Sequence, residues 1–182
     1  MVFWDDLGFV TNYTVDAEIE YPGDGEWGYE QHRLADARSD RVGGPQALIR
    51  PAHGDPWLLT TAFAGLGALY ATADPDVICV FEQFDRIVLV NVSEPTIQMT
   101  MDDVYPVRIA ASVDQGLLLV CDWNGITAIG NDGVRWRAPD LIYDLHVTRA
   151  DGDRIYFRGT HPGESVEARG SIDARTGGVI SS

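Results

Sequence analysis

Lysine is absent from this chain of 182 residues, so its 13 basic side chains are all arginine. Against them stand 28 acidic residues, with Asp far outnumbering Glu, for a formal net charge of −15. The summed field of such a surface repels polyanions and attracts basic partners. Binding to nucleic acid or to an anionic membrane is therefore not expected. No basic stretch tracks a phosphate backbone either, because the arginines are scattered along the sequence. Two origins for the acidity stand side by side: a GC-rich genome favouring Arg and Asp codons, which we place first, and adaptation to high salt.

Cysteine is nearly absent too. The two present, Cys79 and Cys121, sit in apolar stretches that read as strands, without any Cys-x-x-Cys. They are expected to be buried free thiols, which excludes a redox motif or a zinc site built on cysteine. Long apolar runs are missing: Val77 to Val90 is interrupted by Glu82, Asp85 and Arg86, far short of the ~20 residues that a spanning helix needs. The opening Met-Val-Phe-Trp-Asp-Asp has neither the positive nor the apolar region of a secretion signal, so a cytoplasmic location is the expectation. The four histidines, His32, His53, His146 and His161, show no ligand spacing. No nucleophile elbow, phosphate-cradling loop or dinucleotide fingerprint occurs, and Gly65-Leu66-Gly67 reads as a turn. The sequence thus points to no catalytic residue, no metal and no cofactor.

What is present is β structure. With 45% apolar residues, residues 1–182 suit a single domain with a sizeable core. The N-terminal 14 residues carry Val2, Phe3, Trp4, Leu7, Phe9, Val10 and Tyr13, a cluster expected to dock on the core or on another subunit. Val15 to Tyr21 alternates like a half-buried strand. Residues 25–51 read as a long polar connection, in which Tyr29 to Arg38 could form a short helix and Gly43-Gly44-Pro45 breaks the pattern. Twelve strand signals follow, from Trp57–Ala64 to Ser165–Ile172, separated by turns such as Asn131-Asp132-Gly133 and Asp151-Gly152-Asp153. Asn-Gly and Asp-Gly tolerate the positive φ of tight hairpins. No amphipathic helix separates these strands, so the expectation is an all-β antiparallel meander rather than βαβ units.

A faint repeat runs through the second part of the chain. Leu69-Tyr70-Ala71-Thr72-Ala73-Asp74 aligns with Ile109-Ala110-Ala111-Ser112-Val113-Asp114, and a third copy follows at Val147 to Phe157. A period of about 40 residues built of short strands is the mark of blade-like units. The segments Ile126 to Trp136 and Gly170 to Ile180 carry its most specific features: Ala128, Gly133 and Trp136 in the first, Asp173, Thr176 and Gly177 in the second. In these features residues 68–182 resemble quinoprotein-like (PQQ-type) or WD40-like β-propeller repeats. The resemblance implies three blades, near 68–101, 107–138 and 145–182, with residues 1–65 supplying a strand, a loop and a degenerate blade. It carries over no catalytic or quinone-binding residue. Closed propellers have four to eight blades, so the expected architecture is a small or partial propeller, or else an open β-sandwich.

Among residues able to carry function, Trp123 stands out, because Asp122-Trp123-Asn124-Gly125 places a large aromatic at a hairpin tip. Its plain alternative is a packing role against a neighbouring blade. The pairs Asp74-Pro75-Asp76, Asp102-Asp103 and Asp151-Gly152-Asp153, with Asp114, read first as turn residues, and calcium ligation is the weaker reading. Together Trp123, Asp122, Asp114, Asp74, Asp76, Asp151 and Asp153 form the expected partner-binding set for a basic protein, as in an immunity protein that neutralises a toxin. Two alternatives are a hydrolase or carbohydrate-binding module using Asp74, Asp114 and Asp151 on the repeat rim, and a structural subunit completed by homodimerisation.

Overall fold

The computed structural model describes residues 3–19, 26, 28–33, 42–62, 68–82, 86–102, 108–161 and 163–180. Met1, Val2, Tyr21, the Gly65-Leu66-Gly67 turn, Asp85 and Asp103, all named above, lie outside these residues, as do Trp27 and residues 34–41. The fold is all-β. By backbone proximity the chain gathers into two compact units, Met1–Asp6 with Val10–Val104, and Leu7–Phe9 with Tyr105–Ser182.

The first unit holds two sheets. One contains β2 (Tyr13–Asp16), β3 (Glu30–Arg33), β4 (Val42–Pro51) and β5 (Trp57–Ala62), in the order β2-β4-β5-β3. The other contains β1 (Phe3–Asp5), β6 (Ala68–Ala71), β7 (Val77–Glu82), β8 (Arg86–Asn91) and β9 (Thr96–Asp102), in the order β1-β6-β7-β8-β9. Alternation along the strands decides what they bury. Ile49, Trp57 and Leu59 from the first sheet meet Leu69, Ile78, Val80, Val88 and Val90 from the second in one core, against which Trp4 and Val15 pack. Each such side chain contributes about 1.5–3 kcal/mol on burial. Trp4 and Tyr13 of the N-terminal cluster thus serve this core, their rings 5.8 Å apart, whereas Phe3 is exposed and Phe9 belongs to the second unit.

Three features of this unit depart from the sequence reading. Glu30–Arg33 is a strand, paired in parallel with Trp57–Thr60, where a helix was open over Tyr29 to Arg38. Four polar residues carry no strand signal of their own, and it is the partner strand and the His32 ring set edge-on against Trp57 at 5.5 Å that decide the conformation. Gly43-Gly44-Pro45 does not break the chain but lies inside β4, whose register against β5 shifts on both sides of Pro45. A bulge is where a sheet accepts proline, which has no N–H to donate. The alternating strand begins earlier than Val15 and ends at Asp16. In addition β1 pairs in parallel with β6, so two sheet edges are parallel while every consecutive pair from β6 to β9 is antiparallel.

The second unit repeats the plan. β10 (Arg108–Ser112), β11 (Leu117–Cys121), β12 (Ile126–Gly130) and β13 (Gly133–Ala138) form one antiparallel meander. A second meander holds β14 (Tyr143–Asp151), β15 (Arg154–Thr160) and β16 (Glu167–Asp173). Their facing sides share a core of Leu117, Leu119, Ile126 and Trp136 against Leu145, Ile155, Phe157 and Ile172. Residues 68–102, 108–138 and 143–173 thus each run as one antiparallel meander.

One device recurs in both units. The Trp57 indole donates through Nε1 to the Val92 carbonyl at 2.8 Å, and the Trp136 indole donates likewise to the Ala174 carbonyl at 2.8 Å. Each bond joins a sheet to the one that follows it. Both accepting carbonyls belong to the residue that follows the Asx residue of an Asx turn, in which Asn91 Oδ1 accepts from Ser93 N and Glu94 N, and Asp173 Oδ1 accepts from Arg175 N and Thr176 N. A buried indole N–H needs such a partner, and it fixes how the two sheets are spaced.

Candidate functional site

The turn between β11 and β12 is built to hold Trp123 outward. Asp122 Oδ1 accepts from Asn124 N at 2.9 Å and Gly125 N at 2.7 Å. The Asn124 carbonyl accepts from Leu141 N at 2.7 Å, while its side chain donates through Nδ2 to Asp140 Oδ1 at 2.8 Å. Asp140 adopts φ +55°, a left-handed conformation that Asp tolerates better than most residues. Gly125 is required at its position, since a Cβ there would stand 2.9 Å from the Ala138 carbonyl oxygen. With both sides of the turn so pinned, Trp123 remains 62% exposed. It does not fill a core, and the packing alternative fails for it.

The carboxylates expected beside it are distributed differently. Asp122 adjoins Trp123 but spends one oxygen on the turn. Asp114 lies in the short 3-10 turn Val113–Gln115 at the opposite end of β11. There Gln115 Nε2 donates to Asp153 Oδ1 at 3.4 Å, so Asp114 and Asp153 belong to one end of the unit. Asp153 is also ion-paired with Arg175 at 2.9 Å, and Asp151 with Arg149. In the other unit, Asp74 Oδ1 accepts from Asp76 N at 3.0 Å, and Asp76 Oδ1 accepts from Asn12 Nδ2 at 3.0 Å. Asp74 and Asp76 thereby tie the β6–β7 turn to the N-terminal segment. Among the described residues no group of three or more His, Cys, Asp or Glu side chains is arranged to hold a metal ion.

Charge is also uneven between the units. The first unit contains 18 acidic residues and 5 arginines, the second 10 acidic residues and 8 arginines. Nearly all the net charge therefore belongs to the first unit. The arginines that read as scattered gather in part on the last sheet, where Arg158 and Arg169 both pair with Glu167, at 3.1 and 2.9 Å. The Arg169 hydrogen bond is the main cause holding the Glu167 carboxyl below its usual range.

The sequence reading missed a cleft in the first unit. It has a volume of about 580 Å3 and opens between β3 and the β8–β9 turn. Trp57, only 2% exposed, is among its lining residues. Glu30 and His32 line one side, Ser93 and Pro95 the other, and Asp55 belongs to the loop before β5. Glu30 Oε1 lies 3.5 Å from His32 Nε2. The Arg50 guanidinium stands over the neighbouring Tyr29 ring at 5.7 Å.

Both cysteines are free and buried. Burial pushes the Cys121 thiol up to about 12 and raises that of Cys79 as well, so neither offers a thiolate near neutral pH. Tyr13 is raised, first by burial and then by Cys79, Asp74 and Asp76, and its hydroxyl donates to the Val77 carbonyl at 3.1 Å. Among the described residues no helix is long and apolar enough to cross a membrane. No protein-family model matches the chain, and no curated protein shows significant sequence similarity to it.

Proposed function

We propose that this chain is a non-enzymatic, cytoplasmic, acidic module that binds a basic protein, in the manner of an immunity protein that neutralises a toxin. The observation that carries the reading is Trp123, a large aromatic left 62% exposed on a turn whose backbone is pinned by Asp122, Asn124 and Asp140. A rigid exposed indole loses little entropy when a partner buries it, which is why such residues serve as interface anchors. The net charge of −15 selects among partners by attracting basic ones and speeding their encounter.

The rim-carboxylate alternative gains less support. Asp74 is engaged in a turn and Asp151 in an ion pair, which leaves Asp114 as the one member of that trio without such a role among the contacts described. The test of the main reading is affinity capture from source-organism lysate at low ionic strength, run with the wild-type chain and with Trp123→Ala. A basic protein retained by the first and depleted on the second is the expected result. Retention of no basic protein, or equal retention on both, overturns the reading.

A further inference from the structure

The open side of the first unit combines two features that point the same way. The first is the free edge of β9. Edge strands of soluble proteins are normally blunted by charge, proline, brevity or a bulge. β1, β2 and β3 have three or four residues, β10 opens on Arg108, and β13 carries Arg135 and Arg137. The last sheet keeps Arg149 on β14 and Glu167 and Arg169 on β16, where Val179 also bridges Ile172. β9 differs. Its seven residues begin Thr96-Ile97-Gln98-Met99-Thr100-Met101, with no charge before Asp102, and Ile97 is 46% exposed. A register shift opposite Leu89 and Val90 leaves Gln98 as an extra residue. That bulge is the one blunting device on β9 before Asp102, and the outer edge has no strand partner among the described residues.

The second feature is the cleft, since Pro95 at its wall leads directly into β9. Glu30 and Asp55 supply anionic oxygens there, and among the described lining residues none is an arginine, although Arg50 stands over the lining Tyr29 ring. Trp57 is too buried to offer a ring face for stacking a sugar, so the cleft suits a slender cationic side chain better than a flat ligand. Glu94 and Asp102 flank β9 at its two ends. A second copy of this chain would bring two strongly acidic units together, which charge repulsion opposes.

We propose that this side of the molecule receives an extended segment of a basic protein. The segment's backbone adds to β9, and one Arg or Lys side chain enters the cleft to meet Glu30 and Asp55. The proposal rests on the basic-partner reading above and specifies how part of that partner is held.

The test uses a fluorescein-labelled twelve-residue peptide of alternating Arg and Val, titrated into the full chain, with amide shifts followed by NMR. Binding is expected to move the amides of residues 28–33 and 93–102. Glu30→Gln combined with Asp55→Asn is expected to weaken it about tenfold, whereas Asp16→Asn with Glu18→Gln, the same loss of charge elsewhere in the unit, weakens it less than about threefold. Ile97→Arg is expected to weaken it as well. Equal losses from the two charge pairs, or shifts confined to other residues, overturn the proposal. A dimer that Ile97→Arg dissociates overturns it in favour of a second copy. If the peptide fails to bind while a captured basic protein still binds through Trp123, the proposal falls and the partner reading stands.

Discussion

Gly177→Ala offers a clean measure of the device that joins β13 to the end of the last sheet. Gly177 has φ +71°, a conformation that costs a residue with a Cβ about 1 kcal/mol or more. A Cβ built there also lies 2.7 Å from Trp136 Cε3 and 2.9 Å from Cδ2. The ring has little freedom to retreat, because its Nε1 is bonded to the Ala174 carbonyl and the ring is part of the core. Overpacking of this kind costs roughly 1–3 kcal/mol. Gly152 supplies the control, with φ +53° and nothing within 4 Å of an added Cβ. Both substitutions share the left-handed penalty, and both share the gain of about 0.4–1 kcal/mol from stiffening the unfolded chain. Their difference therefore isolates the contact with Trp136. Urea denaturation followed by tryptophan fluorescence is expected to find Gly177→Ala less stable than Gly152→Ala by about 1–3 kcal/mol. A difference below about 0.5 kcal/mol would refute the claim that this ring is fixed in place.

Other expectations follow from the same structure. Trp57→Phe keeps most of the buried ring but orphans the Val92 carbonyl, and is expected to cost about 1–3 kcal/mol in a thermal or urea melt; a neutral result would mean that the bond does not hold the sheets of the first unit together. Cys79 and Cys121 should resist a thiol reagent at pH 8 in the native protein and react fully once it is unfolded, so rapid native labelling would contradict their burial. Glu167 and Asp173 have folded pKa values lowered below 4.5 and 3.8, the first mainly by Arg169 and the second mainly by the Arg175 amide. Groups shifted this way stabilise the fold above their unfolded pKa and lose that contribution as pH falls through the folded value. Acid titration watched by circular dichroism should therefore show stability declining below about pH 4.5, less steeply in Asp173→Ala than in wild type; identical acid limbs would remove Asp173 from the account.

The β signals from Trp57 onward were legible because they combine alternating or continuous apolar runs with Asp-Gly and Asn-Gly turns, two cues that agree locally. β7, β8 and β11 are apolar on both faces, and the burial of Cys79 and Cys121 within them could be read directly. β3 could not, since Glu30-Gln31-His32-Arg33 becomes a strand only through a partner 27 positions away. The cleft was hidden with it, because one of its walls is that strand. At the Asp122 to Gly125 turn the sequence announced an exposed tryptophan, while the roles of Asn124 and Asp140 in pinning it depend on a loop sixteen residues on. The two indole locks illustrate the same limit. Trp136, Asp173 and Gly177 stand out as repeat features, whereas Trp57 carries only a strand signal and its partner turn Asn91-Val92-Ser93-Glu94 lacks the Thr-Gly of its counterpart. A tryptophan followed some 35 residues later by an Asx turn was the signal that would have found it.

The most direct test of the central claim is calorimetric titration of the captured basic protein into the wild-type chain and into Trp123→Ala, at low and at physiological salt. The account predicts that the substitution weakens binding by about 2 kcal/mol, roughly thirtyfold, at both salt concentrations, and that raising the salt weakens both chains in parallel. Equal affinity of the two chains, or affinity unmoved by salt, would contradict it.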